Sequence, residues 1–127
     1  MHDDSYGIRK RKLIEGILGS FRAGFVVVEG KHDVATLARL GVSAVRLGAL
    51  PGKVDAIRAA APKSTFYIVM DMDRGGADKE GRAISFLTSV DQAIKYDTGM
   101  GRRFLKALGI TSVEQAYKRV EELLGTQ

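Results

Sequence analysis

The sequence predicts an α/β fold, a parallel sheet with helices on both faces. Three observations lead there. Residues 25–28 and 66–70 are short apolar runs rich in Val, Ile and Phe without regular polar alternation, as strands covered on both faces are. Apolar residues at helical spacing precede the first run and separate it from the second. Each run leads directly into an acidic residue, Glu29 or Asp71, at the end of a parallel strand where ligands of such sheets bind.

Taken in order, Ile8, Leu13, Ile14, Ile17, Leu18 and Phe21 predict a helix over 8–21, with Arg9, Lys10, Arg11 and Lys12 giving it a basic face. Gly24 ends that pattern before the 25–28 strand. Val34, Leu37, Ala38 and Leu40 predict a helix closed by Gly41. Residues 44–47 form a weaker strand, Pro51 and Gly52 mark a loop, and 54–61 form a helix stopped before Pro62. After the 66–70 strand a glycine-rich loop leads into a helix over about 78–90. Residues 92–96 give a last short strand, 98–101 a loop, and 102–108 and 112–124 two final helices. Tyr117, Val120, Leu123 and Leu124 mark the last as a docking helix.

The 127 residues fit one domain, expected to span 1–127. A composition of 45% hydrophobic and 28% charged residues supports a core without covalent or metal staples. The absence of cysteine excludes a disulfide framework and a thiolate zinc site, and suits a reducing, cytoplasmic setting. No apolar run approaches the ~18 residues of a membrane span, and the N-terminal region lacks the smooth apolar stretch of a signal peptide. A net charge of +5 makes RNA or DNA the first class of partner to consider.

The chemistry concentrates at two places. In an extended segment residues two apart point to the same side, so Asp71 and Asp73 can converge on one point. Paired carboxylates repel unless a cation neutralises them, and hard oxygen ligands with positions left to water and phosphate suit Mg²⁺, with Mn²⁺ as a substitute. Glu29 can complete that site or serve as an acid or base beside the metal. Gly75 and Gly76 are expected to let the backbone turn close to a phosphate, and Gly30 to do the same behind Glu29. The helix start after Gly30 offers N–H groups to an anion, while Lys31, Arg74 and Lys79 or Arg82 neutralise phosphate charge. His32 reads as solvent-facing, His2 as part of a frayed terminus, and Tyr67 as packing rather than a nucleophile.

These residues resemble a known family. The stretch FVVVEGKHD (25–33) is similar to the glutamate motif of Toprim domains, a hydrophobic strand ending in Glu-Gly with Asp three residues on. The stretch IVMDMDRGG (68–76) is similar to their second motif, a hydrophobic strand, Asp-x-Asp and a glycine. The order and spacing of the two also match, and the resemblance covers about 23–96, with the N-terminal helix and C-terminal helices packed on that core. The 71–76 stretch looks most like small stand-alone and archaeal primase-like Toprim proteins. Met72 departs from the small residue or proline of many relatives, and Asp78 and Glu80 add carboxylates beyond the usual trio.

The resemblance implies a Rossmann-like parallel sheet of about four strands and Mg²⁺ held by Asp71, Asp73 and Glu29. It also implies Glu29 as the general acid/base of phosphodiester chemistry. Asp33 matches a family position, although a helix N-terminal role is as good a reading; Asp78, Arg102 and Arg103 are accessory candidates, with Lys106 continuing a basic track. The expected function is a Mg²⁺-dependent nuclease or RNA-processing activity. A nucleic-acid or nucleotide binding module without turnover, or a primase-like nucleotidyl transfer subunit, stands as the alternative. A protein partner or a homodimer is compatible with either.

Overall fold

The computed structural model describes residues 5–125; His2 lies outside them. The chain runs α1 (Ser5–Ala23), β1 (Phe25–Val28), α2 (Lys31–Ala38), β2 (Ala44–Arg46), α3 (Leu50–Ala60), β3 (Phe66–Ile68), α4 (Arg74–Val90), β4 (Tyr96–Asp97), α5 (Gly99–Leu108) and α6 (Ala116–Leu124). Short 3-10 turns at Leu47–Ala49 and Val113–Gln115 precede α3 and α6. Among the described residues four strands form one sheet in the order β2-β1-β3-β4, every neighbouring pair parallel. The α/β architecture expected from the sequence is therefore the one observed.

The pleat divides the core in two. Val26, Val28 and Val69 face a layer built on Ile14, Ile17, Leu18 and Phe21 of α1, Leu37 of α2, Phe104 and Leu108 of α5 and Val120 of α6. Val27 and Ile68 face the other layer, built on Leu50 and Val54 of α3 and Ala83 and Leu87 of α4. Val26, Val27 and Val28 are all fully buried. Burial of such side chains stabilises by roughly 1.5–3 kcal/mol each, which is why this stretch needs no polar alternation to be a strand. Tyr67 sits edge-on to Phe21 with ring centroids 5.4 Å apart, in the packing role expected of it.

Several boundaries differ from the sequence reading, each with a local cause. Pro51 and Gly52 lie in the first turn of α3 rather than in a loop, because proline there gives up only an N–H that has no intrahelical partner. Helix α4 starts at Arg74, so Gly75 and Gly76 belong to its first turn and not to a glycine-rich loop. Residues 98–101 were expected as a loop, yet α5 begins at Gly99, where the Asp97 carboxylate accepts the Met100 N–H at 2.8 Å. Strand β4 is Tyr96–Asp97 rather than 92–96, since Asp91 closes a turn by accepting the Ala93 N–H at 2.8 Å. The β3 ladder ends at Ile68, two residues short of the expectation, although the Val69 N–H still reaches the Val27 carbonyl at 2.8 Å. Among the described residues no helix is long and apolar enough to cross a membrane.

Candidate functional site

With the order β2-β1-β3-β4, the chain leaves β1 toward one side of the sheet and returns through β3 on the other. The crevice outside the carboxyl ends of β1 and β3 is the switch point at which open parallel sheets bind ligands. Phe25 pairs with Phe66 and Val27 with Ile68, so the two chains leave the sheet side by side. Glu29 follows β1, and Asp71 and Asp73 follow β3. The register thus brings the three sequence-predicted acidic residues to the same end of the sheet.

Each carboxylate has a partner. Lys79 of α4 donates to Glu29 Oε1 at 2.6 Å. The Val113 N–H donates to Asp71 Oδ1 at 2.9 Å, tying the 3-10 turn before α6 to the end of β3. The Met72 N–H donates to the Thr111 carbonyl at 2.8 Å and strengthens the same tie. Asp73 is the N-cap of α4, accepting the Gly76 N–H at 2.6 Å. Asp33 accepts the Gly30 N–H at 3.2 Å and fixes the start of α2, so its helix N-terminal reading is the one observed.

Asp33 is the buried acid of the site. Burial pushes its carboxyl above the ordinary carboxylate value; the Gly30 N–H opposes this, and the charges of Asp71, Glu29 and Glu114 add to it. Asp71, Glu29 and Glu114 are therefore each close enough for Asp33 to feel their charge. Glu114 is a member that sequence reasoning missed, for it comes from the distant turn before α6 and no local motif marks it. Asp33 favours the folded state while protonated, and that contribution fades as pH rises through its raised folded value. Asp33→Asn keeps an acceptor for Gly30 and removes the charge. Its stability relative to the natural chain should rise in urea melts over the range from the ordinary carboxylate value upward. A constant difference across that range contradicts the role given to burial.

Two cavities lie along α4. One of about 230 Å³ is lined by Asp71, Asp73, Glu80 and Arg102. The other, about 380 Å³, is lined by Glu29, Lys79 and Arg82. A larger cavity of about 560 Å³ opens at the amino ends of the strands beside Gly24, Thr65 and Tyr67, away from these acids. Its lining carries no carboxylate.

The phosphate-contact expectations divide. Lys31 and Arg74 are exposed at the starts of α2 and α4. The Gly30 and Gly76 N–H groups are already taken by Asp33 and Asp73, so neither is open to a phosphate as expected. Gly30 has extended backbone and open space around the position of a Cβ. Gly75 would bring a Cβ only into ordinary contact, 3.5 Å from Asp73 Oδ1. Gly76 is different. A Cβ there would stand 1.8 Å from the Asp71 carbonyl oxygen, so glycine is required for the contact between helix and strand end. Arg102 pairs with Glu80, while Arg103, Lys106, His32 and Asp78 are exposed.

The donor chemistry fits a divalent cation. Glu29, Asp71 and Asp73 each use one oxygen in the hydrogen bonds above and leave the second outside them. Among the described residues no three such side chains close around a single point, so the expected convergence of the trio is not formed. Glu29 instead leans on Lys79, in the neighbouring cavity. An ion at Asp71 and Asp73 would complete its shell with water and phosphate oxygens, the arrangement Mg²⁺ adopts at substrate-assisted sites.

No family model matches the chain, and no curated protein matches it. Among solved structures it is similar to one described as "putative protein from Aquifex aeolicus", with 23% sequence identity and a TM-score of 0.60. The match covers 82% of this chain and 94% of that one. It is a likeness of fold.

Proposed function

We propose that this chain is a Mg²⁺-dependent enzyme of nucleic-acid phosphodiesters, of the Toprim type and most consistent with a nuclease or RNA-processing activity. The observation that carries the reading is that Glu29 follows β1 and Asp71 and Asp73 follow β3, where adjacent parallel strands leave the sheet at its switch point. The two sequence motifs that resemble Toprim domains end at those positions.

Asp71 and Asp73 are the residues to hold the ion, which when bound supplies charge stabilisation to the phosphoryl oxygens. Glu29 holds or moves the proton at its carboxylate. Lys79, whose pKa its hydrogen bond to Glu29 raises, stays charged through the neutral range and balances that carboxylate until a substrate arrives. Lys31 and Arg74, exposed at the two helix starts, meet phosphate charge at the mouth. Asp33 and the 111–115 segment act through position, one fixing the turn after Glu29, the other bracing Asp71 and Met72.

The test is incubation of the protein with labelled structured RNA, single-stranded DNA and duplex DNA in Mg²⁺, Mn²⁺ or EDTA. Metal-dependent cleavage of at least one substrate is expected. A second reading, metal-assisted binding without turnover, is favoured by the Glu29–Lys79 pair, which leaves the proposed acid/base already engaged. Retention of a substrate with no cleavage under any metal would select it.

A further inference from the structure

The cavity beside Glu29 contains more than the proposed reaction uses. Lys79, Arg82 and Phe86 follow one another at spacings of three and four along α4, so they form one stripe on one face of the helix. All three line this cavity of about 380 Å³, with Leu47 and Pro51 forming the opposite wall. Arg82 has no ion-pair partner among the described residues, and its charge opposes that of Lys79 nearby. The cavity thus holds a carboxylate already balanced by a lysine, one further cation, and an aromatic side chain with Leu47 and Pro51 in the same lining.

We infer that this groove is the substrate-binding track of the site, taking one nucleotide of a single strand with its base against Phe86, Leu47 and Pro51 and its phosphate on Arg82 and Lys79. The inference rests on the nucleic-acid reading above and names its substrate class as single-stranded. Alternating positive charge and a flat apolar surface is how proteins hold single strands without reading sequence, because every base has a face that can stack. An acidic peptide would satisfy the cations and leave the aromatic end without a matching group. A duplex keeps its bases stacked inside and cannot present one to the groove. The direction follows from the stripe: the phosphate nearest Lys79 is the one nearest Glu29.

The test is fluorescence anisotropy with a labelled oligothymidylate and an abasic oligonucleotide of the same length, in EDTA so that nothing is cleaved. The natural chain should prefer the base-bearing strand by about tenfold. Phe86→Leu, which keeps most of the buried volume, should reduce that preference to about twofold or less. Arg82→Gln, at an exposed position, should weaken both strands alike and lower the salt slope by about one. Should Phe86→Leu fail to fold, Arg82→Gln carries the test alone. An unchanged base preference in folded Phe86→Leu, an unchanged salt slope in Arg82→Gln, or equal binding of polyglutamate would each overturn the assignment. Its failure is separable from failure of the enzymatic reading. Metal-dependent cleavage with unaltered binding in both variants removes the track and leaves the enzyme. Base preference lost in Phe86→Leu, with no cleavage in any metal, removes the enzyme and leaves the track.

Discussion

Gly76→Ala should lower stability by on the order of 3–5 kcal/mol and the Tm by more than about 10 °C, whereas Gly75→Ala, one residue away, should leave both unchanged or slightly raised. The difference is steric. A Cβ on Gly76 would stand 1.8 Å from the carbonyl oxygen of Asp71, 2.8 Å from its carbonyl carbon and 3.2 Å from its nitrogen. All three are backbone atoms of the strand end and none can rotate away. Helix α4 would have to lift from β3, and with it would go the Asp73 cap and the Lys79 ammonium that meets Glu29. At Gly75 a Cβ meets only Asp73 Oδ1, at 3.5 Å, and alanine is the better helix former by roughly 0.5–1 kcal/mol. Thermal melts of the two variants side by side decide the matter. Equal stability would mean that α4 does not rest on Asp71 as described.

Glu29→Gln should cut metal-dependent turnover by about 10²–10⁴-fold while leaving the fold in place. Glutamine keeps the size and an acceptor for Lys79 but cannot exchange a proton in the neutral range. The Glu29–Lys79 pair is about one-third exposed on both sides, so solvent screens it and its loss should leave the Tm nearly unchanged. The variant therefore separates chemistry from folding. Single-turnover cleavage at saturating protein, together with a Tm, provides both readouts. Cleavage at the natural rate would remove Glu29 from the reaction, even if Asp71 and Asp73 keep theirs.

Strands and their order of appearance were legible because their residues answer to burial alone. Val26, Val27 and Val28 have helices on both faces, and a β-branched run with no polar member records that directly. Glu29, Asp71 and Asp73 were legible for a related reason, since an acid immediately after such a run stands at the strand end where the sheet opens. Helix starts were less legible. Gly75 and Gly76 read as loop because glycine disfavours helices, yet Gly76 is in α4 because a packed backbone leaves no room for anything larger. The same competition hid Gly101, buried in α5 with its Cβ position 3.1 Å from the backbone of Ile68 and Val69.

What the sequence could not express was contact across long separations. The Val113 N–H on Asp71 and the Glu114 charge in the field of Asp33 join residues about forty or more apart through tertiary packing. Lys79 was legible as a cation near phosphate but not as the partner of Glu29, because that pairing depends on the turn by which α4 leaves Asp73. The Phe86 end of the groove was equally hidden. On the sequence it is one more apolar position of an amphipathic helix, and only the fold brings Leu47 and Pro51 to the same cavity.

The central claim is that the strand-end aspartates gather a divalent cation, and Mn²⁺ binding followed by electron paramagnetic resonance tests it most directly. The natural chain, mixed with a phosphorothioate oligonucleotide, should take up Mn²⁺ that Mg²⁺ displaces, and Asp71→Asn/Asp73→Asn should lose that uptake while keeping the Val113 and Gly76 hydrogen bonds through its amide oxygens. Uptake undiminished in the folded double variant, or none in the natural chain with the oligonucleotide present, would contradict the account.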